Sequence, residues 1–500
     1  MEVKSNTLGI LRGESLKAKS ARGIVKLGTG TGIERVLRLV RTMILTRIIA
    51  VDQFGLMSII LVLVNIFEQL SEVGLKLSVI QSKRGSEYEY LNATWWLQAI
   101  RGLGLFAVAM AAAPFISSFY GKPHLLRLLQ VSLLVIVFRG FISPRAHALQ
   151  KEYKFGLVTL HLQGSALFGT IVTLVCAYYL RNIWALVIGY VAENLCLSIL
   201  SYIIAPFKPR LGVDRDHLKE LTAFVRGMIG LPSLSMIGYV APTFVLGKLV
   251  SENSLGLYAL AVQLVSIPLN FFNKVINPVI LPGFAKKQDD RAALNKAVLN
   301  ISKMVGIVML PLVIYMMSCS SGLLYFLWGP QYVDATIPCV LLSLLIIVRT
   351  QGPVLSSVYM AVGQPHLQRR FVILMTSLIV IFIYPAIIHY GLIGAAATAV
   401  LSNYIAMFMQ IFWCKRIIPL NFYDYIKCYI PGLLMAFAPV ITVLLLVVSG
   451  VDSLAIIVIS GGFALFMVYA VYFGRLFLSR QQKSIFPVAE KEKISLCDIA

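Results

Sequence analysis

Residues 52–74 read DQFGLMSIILVLVNIFEQLSEVG, and residues 253–274 read NSLGLYALAVQLVSIPLNFFNK. The second stretch resembles the first at an offset of about 201 residues. Working outward, FYGKPHLLRLLQVSLLVI from Phe119 resembles LWGPQYVDATIPCVLLSLLII from Leu327, offset by about 208. Each stretch is built on an apolar run, and about 20 such residues cross a bilayer as a helix. The chain thus reads as two copies of one membrane-spanning unit. An even number of spans per unit gives both copies the same orientation, a parallel repeat about an axis along the membrane normal. Such a pair encloses a central cavity.

Composition agrees. The 500 residues are 58% hydrophobic and 13% charged, with mean hydropathy +0.83. Soluble domains sit near 45–50% apolar and 25% charged. The formal charge of +22 does not point to nucleic acid, because little of this chain is left to face water. It reads as the excess of Lys and Arg that sets membrane topology. The seven cysteines show no metal-ligand spacing and read as small packing residues. The polar, basic start MEVKSNTLGILRGESLKAKSARG has no apolar core of a cleavable signal. No cofactor or metal is expected.

The fold class is an all-α integral membrane protein of about fourteen helices. The expected spans are 24–48, 54–80, 91–119, 123–149, 157–180, 183–206, 217–248, 254–284, 295–327, 334–361, 368–388, 391–417, 425–449 and 452–478. The loops test this reading. The termini and the loops after even-numbered spans carry 29 Lys and Arg, and the loops after odd-numbered spans carry only Lys122, Arg181 and Lys248. That split puts both termini in the cytoplasm. The expected organisation is a polar segment 1–23, a six-helix bundle 24–206, a linker 207–216, and a second bundle 217–417. Two further helices, 425–478, and a cytoplasmic tail, 479–500, follow.

Twelve Lys and Arg remain inside the spans. Each is costly at mid-helix, by about 2.5–3.5 kcal/mol. Arg47, Arg127, Arg226 and Lys303 lie near span ends, where a long side chain reaches the interface. Others fall in stripes. Glu34, Arg38 and Arg41 share one face of span 1. Asn65, Glu68, Glu72 and Lys76 form a stripe on span 2, and Gln263, Ser266, Asn270, Asn273, Lys274 and Asn277 form one on span 8. Spans 2 and 8 correspond under the repeat, so either a wet cavity between the halves or polar packing between helices explains both. Prolines at 232, 242, 268, 278 and 282 bend spans 7 and 8 or hinge them. GTGTG at 28–32 lacks the strand that a phosphate loop needs, and no GxxxxGK[ST] occurs.

VDQFGLMSIILVLVNIFEQLSEVGLKLSVIQSK, LNATWW, FYGKPHLLRLLQVSLL, SPRAHALQKEYKF, VLGKLVSENSLGLYALAVQLVSIPLNFF and GLIGAAATAVLSNYI together resemble the polysaccharide transporter (Wzx-type flippase) family. That family is part of the multidrug/oligosaccharidyl-lipid/polysaccharide superfamily, and the branch nearest in likeness serves colanic-acid-like exopolysaccharides. The resemblance covers about residues 25–417. It implies movement of undecaprenyl-diphosphate-linked oligosaccharides across a bacterial inner membrane, for exopolysaccharide or lipopolysaccharide synthesis. It implies two six-helix bundles around a cationic cavity lined by spans 1, 2, 7 and 8. Membrane lipids, a polysaccharide polymerase and chain-length or export proteins are the implied partners.

On this reading Arg38, Arg41, Lys274 and Arg349 are the cavity cations, and Asn270, Asn273 and Asn277 suit sugar hydroxyls. Arg offers a bidentate fork to phosphate and Lys a point charge. Family sequences often carry an acid late in span 7; here Ala241–Pro242–Thr243 precedes Gly247–Lys248. Glu34, Glu68, Glu72 and Glu193 are then the candidate coupling or ion-pair acids. A drug antiporter of the same superfamily would suit a more acidic cavity. A polymerase or ligase would need long outer loops, which the chain lacks.

Overall fold

The computed structural model describes Gly32 and residues 34–69, 74–152, 154–212, 214–228, 231–275, 277–451 and 453–485. Within 225–233, 274–279 and 476–485 it describes the backbone alone. Glu72 lies outside the described residues, as do the side chains of Lys274 and Asn277. Among the described residues every regular element is helical.

The first half comprises α1 (34–48), α2 (Val51–Gln69), α3 (Leu75–Gln81), α4 (Tyr88–Tyr120), α5 (Pro123–Gly140), α6 (Pro144–Lys151), α7 (Phe155–Leu180) and α8 (Ile183–Ile204). A linker carries α9 (Arg215–Met228). The second half comprises α10 (Leu231–Leu249), α11 (Glu252–Val275), α12 (Asn277–Ala285), α13 (Arg291–Ser318), α14 (Ser320–Leu327), α15 (Thr336–Ser343), α16 (Leu345–Ala361) and α17 (Pro365–Lys415). Then come α18 (Phe422–Lys427), α19 (Ile430–Val448) and α20 (Leu454–Ile485).

Eleven described helical segments are long and apolar enough to cross a membrane, against the fourteen spans expected. Three differences account for the gap. α17 has 51 residues, which as one rod would run about 75 Å, more than twice the hydrocarbon thickness. It is two helices meeting at Gly391, where φ is 53° and ψ −129°. Past this point Gly394 approaches the Ala386 carbonyl so closely that a Cβ would fall 1.9 Å from its oxygen. The chain therefore doubles back, as the separate spans 368–388 and 391–417 anticipated. The apolar part of α10, Leu234–Leu249, is short, and so is the described part of α1.

Span 7, expected as one helix over 217–248, is described as α9 and α10 on either side of residues 229–230, which lie outside the described residues. α9 is amphipathic, with its apolar and charged residues on opposite faces. Its buried residues His217 and Leu221 pack on the first half. Asp214 caps it: Oδ1 accepts the Asp216 N–H at 2.8 Å. This bond and that from His217 hold the Asp214 carboxyl below the ordinary carboxylate range. Spans 4 and 9 are divided, at Pro144 and at Cys319.

In the first half α4 packs on α5, α5 on α8, and α7 on α8. In the second, α10 and α16 pack on α17, and α13 on α16. α19 and α20 pack on each other and lie against α13 and α14. Large apolar side chains stay exposed outside, Phe115 and Tyr179 each at 78%. A soluble protein does not show such a surface, whereas lipid covers it.

The halves meet chiefly where α2 crosses α11. A Cβ on Gly55 would fall 2.1 Å from the Glu252 carbonyl oxygen, and one on Gly256 would fall 2.1 Å from that of Val51. The two contacts are reciprocal. Both pairs, 55 with 256 and 51 with 252, carry the 201-residue offset read in the sequence. Absent side chains let two backbones touch, which is how membrane helices gain close packing. Polar bonds between the halves gather at the same end. Glu252 pairs with Lys122 at 3.1 Å and His124 at 3.2 Å. Gln331 Nε2 donates to Thr46 O at 2.9 Å, and Tyr120 Oη to Phe244 O at 3.2 Å. At the opposite end the side chains of Tyr88, Asn92 and Ser82 bond the linker and α9. The protein is pinned together at the Glu252 end.

Candidate functional site

A cavity of about 450 Å³ lies between the halves. α1 contributes Arg35, Arg38 and Arg41, α2 contributes Phe54, Ser58 and Leu61, α10 Thr243, and α11 Gln263 and Ser266. These helices carry the polar stripes of spans 1 and 8, so the spacing that joins Arg38 to Arg41 along one helix face aims both into one space. At mid-depth Gln263 Nε2 donates to Thr42 Oγ1 at 3.0 Å, linking the stripes.

A second cavity of about 300 Å³ continues into the first half. It shares Arg38, Arg41 and Gln263 with the first and adds Arg139, Tyr190, Glu193 and Asn194. Arg38 donates Nη2 to Glu193 Oε1 at 2.5 Å and Nε to Glu34 Oε1 at 2.8 Å. Arg41 Nη1 stands 3.9 Å from Glu193 Oε2. Arg139 pairs with Glu68 and donates Nε to Asn194 Oδ1 at 2.7 Å. A third pocket, of about 190 Å³, begins at Arg139 and Glu68 and runs past Arg101, Lys76, His147 and His161. The cations lining the three spaces are Arg35, Arg38, Arg41, Lys76, Arg101 and Arg139. Among the described residues, the acids on or paired to them are Glu34, Glu68 and Glu193. Among the described residues this lining carries more cations than acids, and Arg38 and Arg139 are held by ion pairs, as intramembrane charges require.

The residues expected at the site separate. Arg38, Arg41, Glu34 and Glu193 come together, and Glu68 joins them through Arg139 and Asn194. Arg349 does not line these cavities. It sits on α16 with its guanidinium 4.1 Å from the centre of the Tyr239 ring on α10. Asn270 turns its amide back to Ser266 O of its own helix at 2.7 Å, and Asn273 is exposed. Arg139, Asn194 and Tyr190 were not singled out from the sequence. Arg139 was visible as a mid-span cation, but its partners lie 71 and 55 residues away. Among the described residues, no three His, Cys, Asp or Glu side chains group so as to hold a metal ion.

Comparison with known proteins places this arrangement. The chain is 26% identical over 386 residues to the lipopolysaccharide biosynthesis protein WzxC of Escherichia coli K12, covering 76% of this chain and 77% of that one. It is 24% identical to the teichuronic acid biosynthesis protein TuaB of Bacillus subtilis 168, covering 61% and 63%. Among solved structures, the lipid II flippase MurJ in an inward closed conformation superposes with TM-score 0.71 at 16% identity, over 90% of this chain and 99% of that one. An inward-facing multidrug MATE transporter superposes with TM-score 0.62 at 15% identity, over 79% and 98%. These superpositions show a shared fold. Residues 44–337, more than half of the sequence, match the polysaccharide biosynthesis protein family Polysacc_synt_3, and the chain belongs to that family.

Proposed function

We propose that this protein is a flippase that carries polyprenyl-diphosphate-linked oligosaccharide repeat units across a bacterial inner membrane, feeding polymer synthesis on the far side. The observation that carries the reading is the pair Arg38 and Arg41, aimed from one helix into a cavity between two repeat-related halves. Guanidinium forks match phosphate oxygens, and in a low-dielectric space fixed cations offset the desolvation of a diphosphate. Relatives named for lipopolysaccharide and teichuronic acid biosynthesis support the substrate class. The shared fold with MurJ supports the reaction type.

Loop charges support cytoplasmic termini, and on that reading the pinned Glu252 end is the outer one. The cavity is then reached from the cytoplasmic side, and alternating access requires the α2–α11 crossing to part. A cationic drug is a poor fit, because three arginines line the cavity between the halves. The experiment is deletion of the gene followed by fractionation of lipid-linked repeat units. The expected result is their accumulation in the inner leaflet with loss of the external polymer. Undiminished external polymer, in a strain holding no second transporter of this family, would overturn the reading.

A further inference from the structure

Arg38 is already occupied. Glu193 and Glu34 take its Nη2 and Nε at 2.5 and 2.8 Å, and the second oxygen of Glu193 points at Arg41, 3.9 Å away. One carboxylate thus spans two arginines with its two oxygens, as two oxygens of a phosphoryl group would. Arg41 is not satisfied by this contact, since its buried Nε has no hydrogen-bond partner. The acid is also fixed in place. Gly169 of α7 lies against its stem, so that a Cβ there would fall 2.4 Å from Glu193 Cβ. Glu193 and both arginines line the same cavity, which opens through Arg38 and Arg41 into the space between the halves.

We infer that Glu193 is a built-in stand-in for the substrate's phosphate: it fills the Arg38–Arg41 fork in the empty carrier and is displaced when an anionic headgroup binds. The inference rests on the flippase reading and names the group that tunes it. Two partly buried arginines without a counter-charge are unfavourable, so a resident carboxylate stabilises the empty state. It also weakens the grip on substrate. A transport site has to bind well enough to load and weakly enough to release, and two unopposed guanidiniums in a dry cavity would release a diphosphate slowly. The displacing anion is a lipid-borne phosphate or, with the same chemistry, a sugar carboxylate on the repeat unit.

The test uses the full chain in lipid nanodiscs with undecaprenyl diphosphate, undecaprenol and free glucuronate as probes. Wild type is expected to bind the diphosphate in preference to undecaprenol. Glu193→Gln is expected to bind the diphosphate about tenfold more tightly, the size of effect a buried charge partner exerts, with undecaprenol unchanged. Turnover at saturating substrate should fall at the same time. Glu193→Asp, which keeps the charge but draws it back by one methylene, should give an intermediate gain. In Arg38→Ala the gain from Glu193→Gln should vanish. A purely structural Glu193 predicts the reverse, weaker binding or unchanged binding in both variants, and either result overturns the inference while leaving the flippase reading intact. A gain seen for glucuronate alone would replace the lipid phosphate by a sugar acid as the displacing group. Wild type that does not distinguish the diphosphate from undecaprenol would remove the flippase reading and this inference with it.

Discussion

The interiors of the two halves solve the same packing problem with different chemistry. In the first half, the polar groups around the cavities include ion pairs: Arg139 with Glu68, and Arg38 with Glu193 and Glu34. In the second, they are amides and phenols. Gln351 Nε2 donates to Ser302 O at 3.2 Å, Gln410 Nε2 to Gly352 O at 3.2 Å, and Tyr359 Oη to Gln410 O at 2.5 Å. Gln351, Gln410 and Tyr359 are fully buried, whereas Arg38 keeps 29% of its side chain exposed. A neutral network that is hydrogen-bonded and dry holds helices together. A charged network that faces a cavity is the costlier choice for that task, and it makes sense where charge has a ligand to meet. On the proposed function, the neutral network of one half holds helices and the charged network of the other meets an anion.

The comparison breaks if charge in the first half is structural. Arg38→Ala should leave protein in the membrane while lowering export by about 30-fold or more, since truncating a buried charged partner costs about 2–5 kcal/mol. Surface polymer per unit of membrane protein measures it. Lost protein with normal specific activity would place Arg38 among the helix-holding residues. Gln351→Leu should do the opposite. It leaves Ser302 O and Tyr425 without their amide, destabilising the fold by about 1–3 kcal/mol while export per molecule stays normal. Thermal unfolding in detergent reads the difference.

Arg349 sharpens the line between the halves. Its stack on Tyr239 holds α16 to α10, so Arg349→Ala should lower export less than tenfold, the scale of a cation–π contact of about 0.5–1 kcal/mol on an exposed ring. Lysine should rescue in part. An effect as large as that of Arg38→Ala would bring the second half into anion handling. The smallest effect is expected at the pinned end. Glu252→Gln removes an ion pair with Lys122 and His124, worth about 0–1 kcal/mol at a partly exposed site. Spectroscopic distances between labels on α2 and α11 should then show the crossing open in a few-fold larger share of molecules.

Sequence spacing carried the local part of this picture and lost the rest. The three-residue step from Arg38 to Arg41 is a helical face, and the apolar runs are spans, because both depend only on near neighbours. The repeat offset told which helices correspond, and the Gly55–Gly256 crossing realises it in space. Glu34, one turn from Arg38, and Glu193 both stand out as candidate ion-pair acids, but which cation Glu193 meets was beyond such reasoning. Glu193 is 155 residues away, and only the packing of α7 on α8, through Gly169, brings it to α1. The ring beside Arg349 was out of reach for the same reason. A mid-span arginine has the same signature whether it faces a cavity or a tyrosine. The amphipathic character of α9 was readable in principle from the pattern of charged and apolar residues in RDHLKELTAFVRGM, which suits an interface better than hydrocarbon.

The most direct measurement is flipping by the purified protein in proteoliposomes. Undecaprenyl-diphosphate-linked oligosaccharide with a fluorescent sugar is loaded, and the fraction open to an external quencher is followed in time. With wild-type protein the outer and inner pools should exchange far faster than in empty vesicles, and Arg38→Ala protein should return the rate close to that of empty vesicles. Exchange no faster than in empty vesicles, or equally fast with Arg38→Ala, would contradict the account of a flippase that carries its substrate on the charged half.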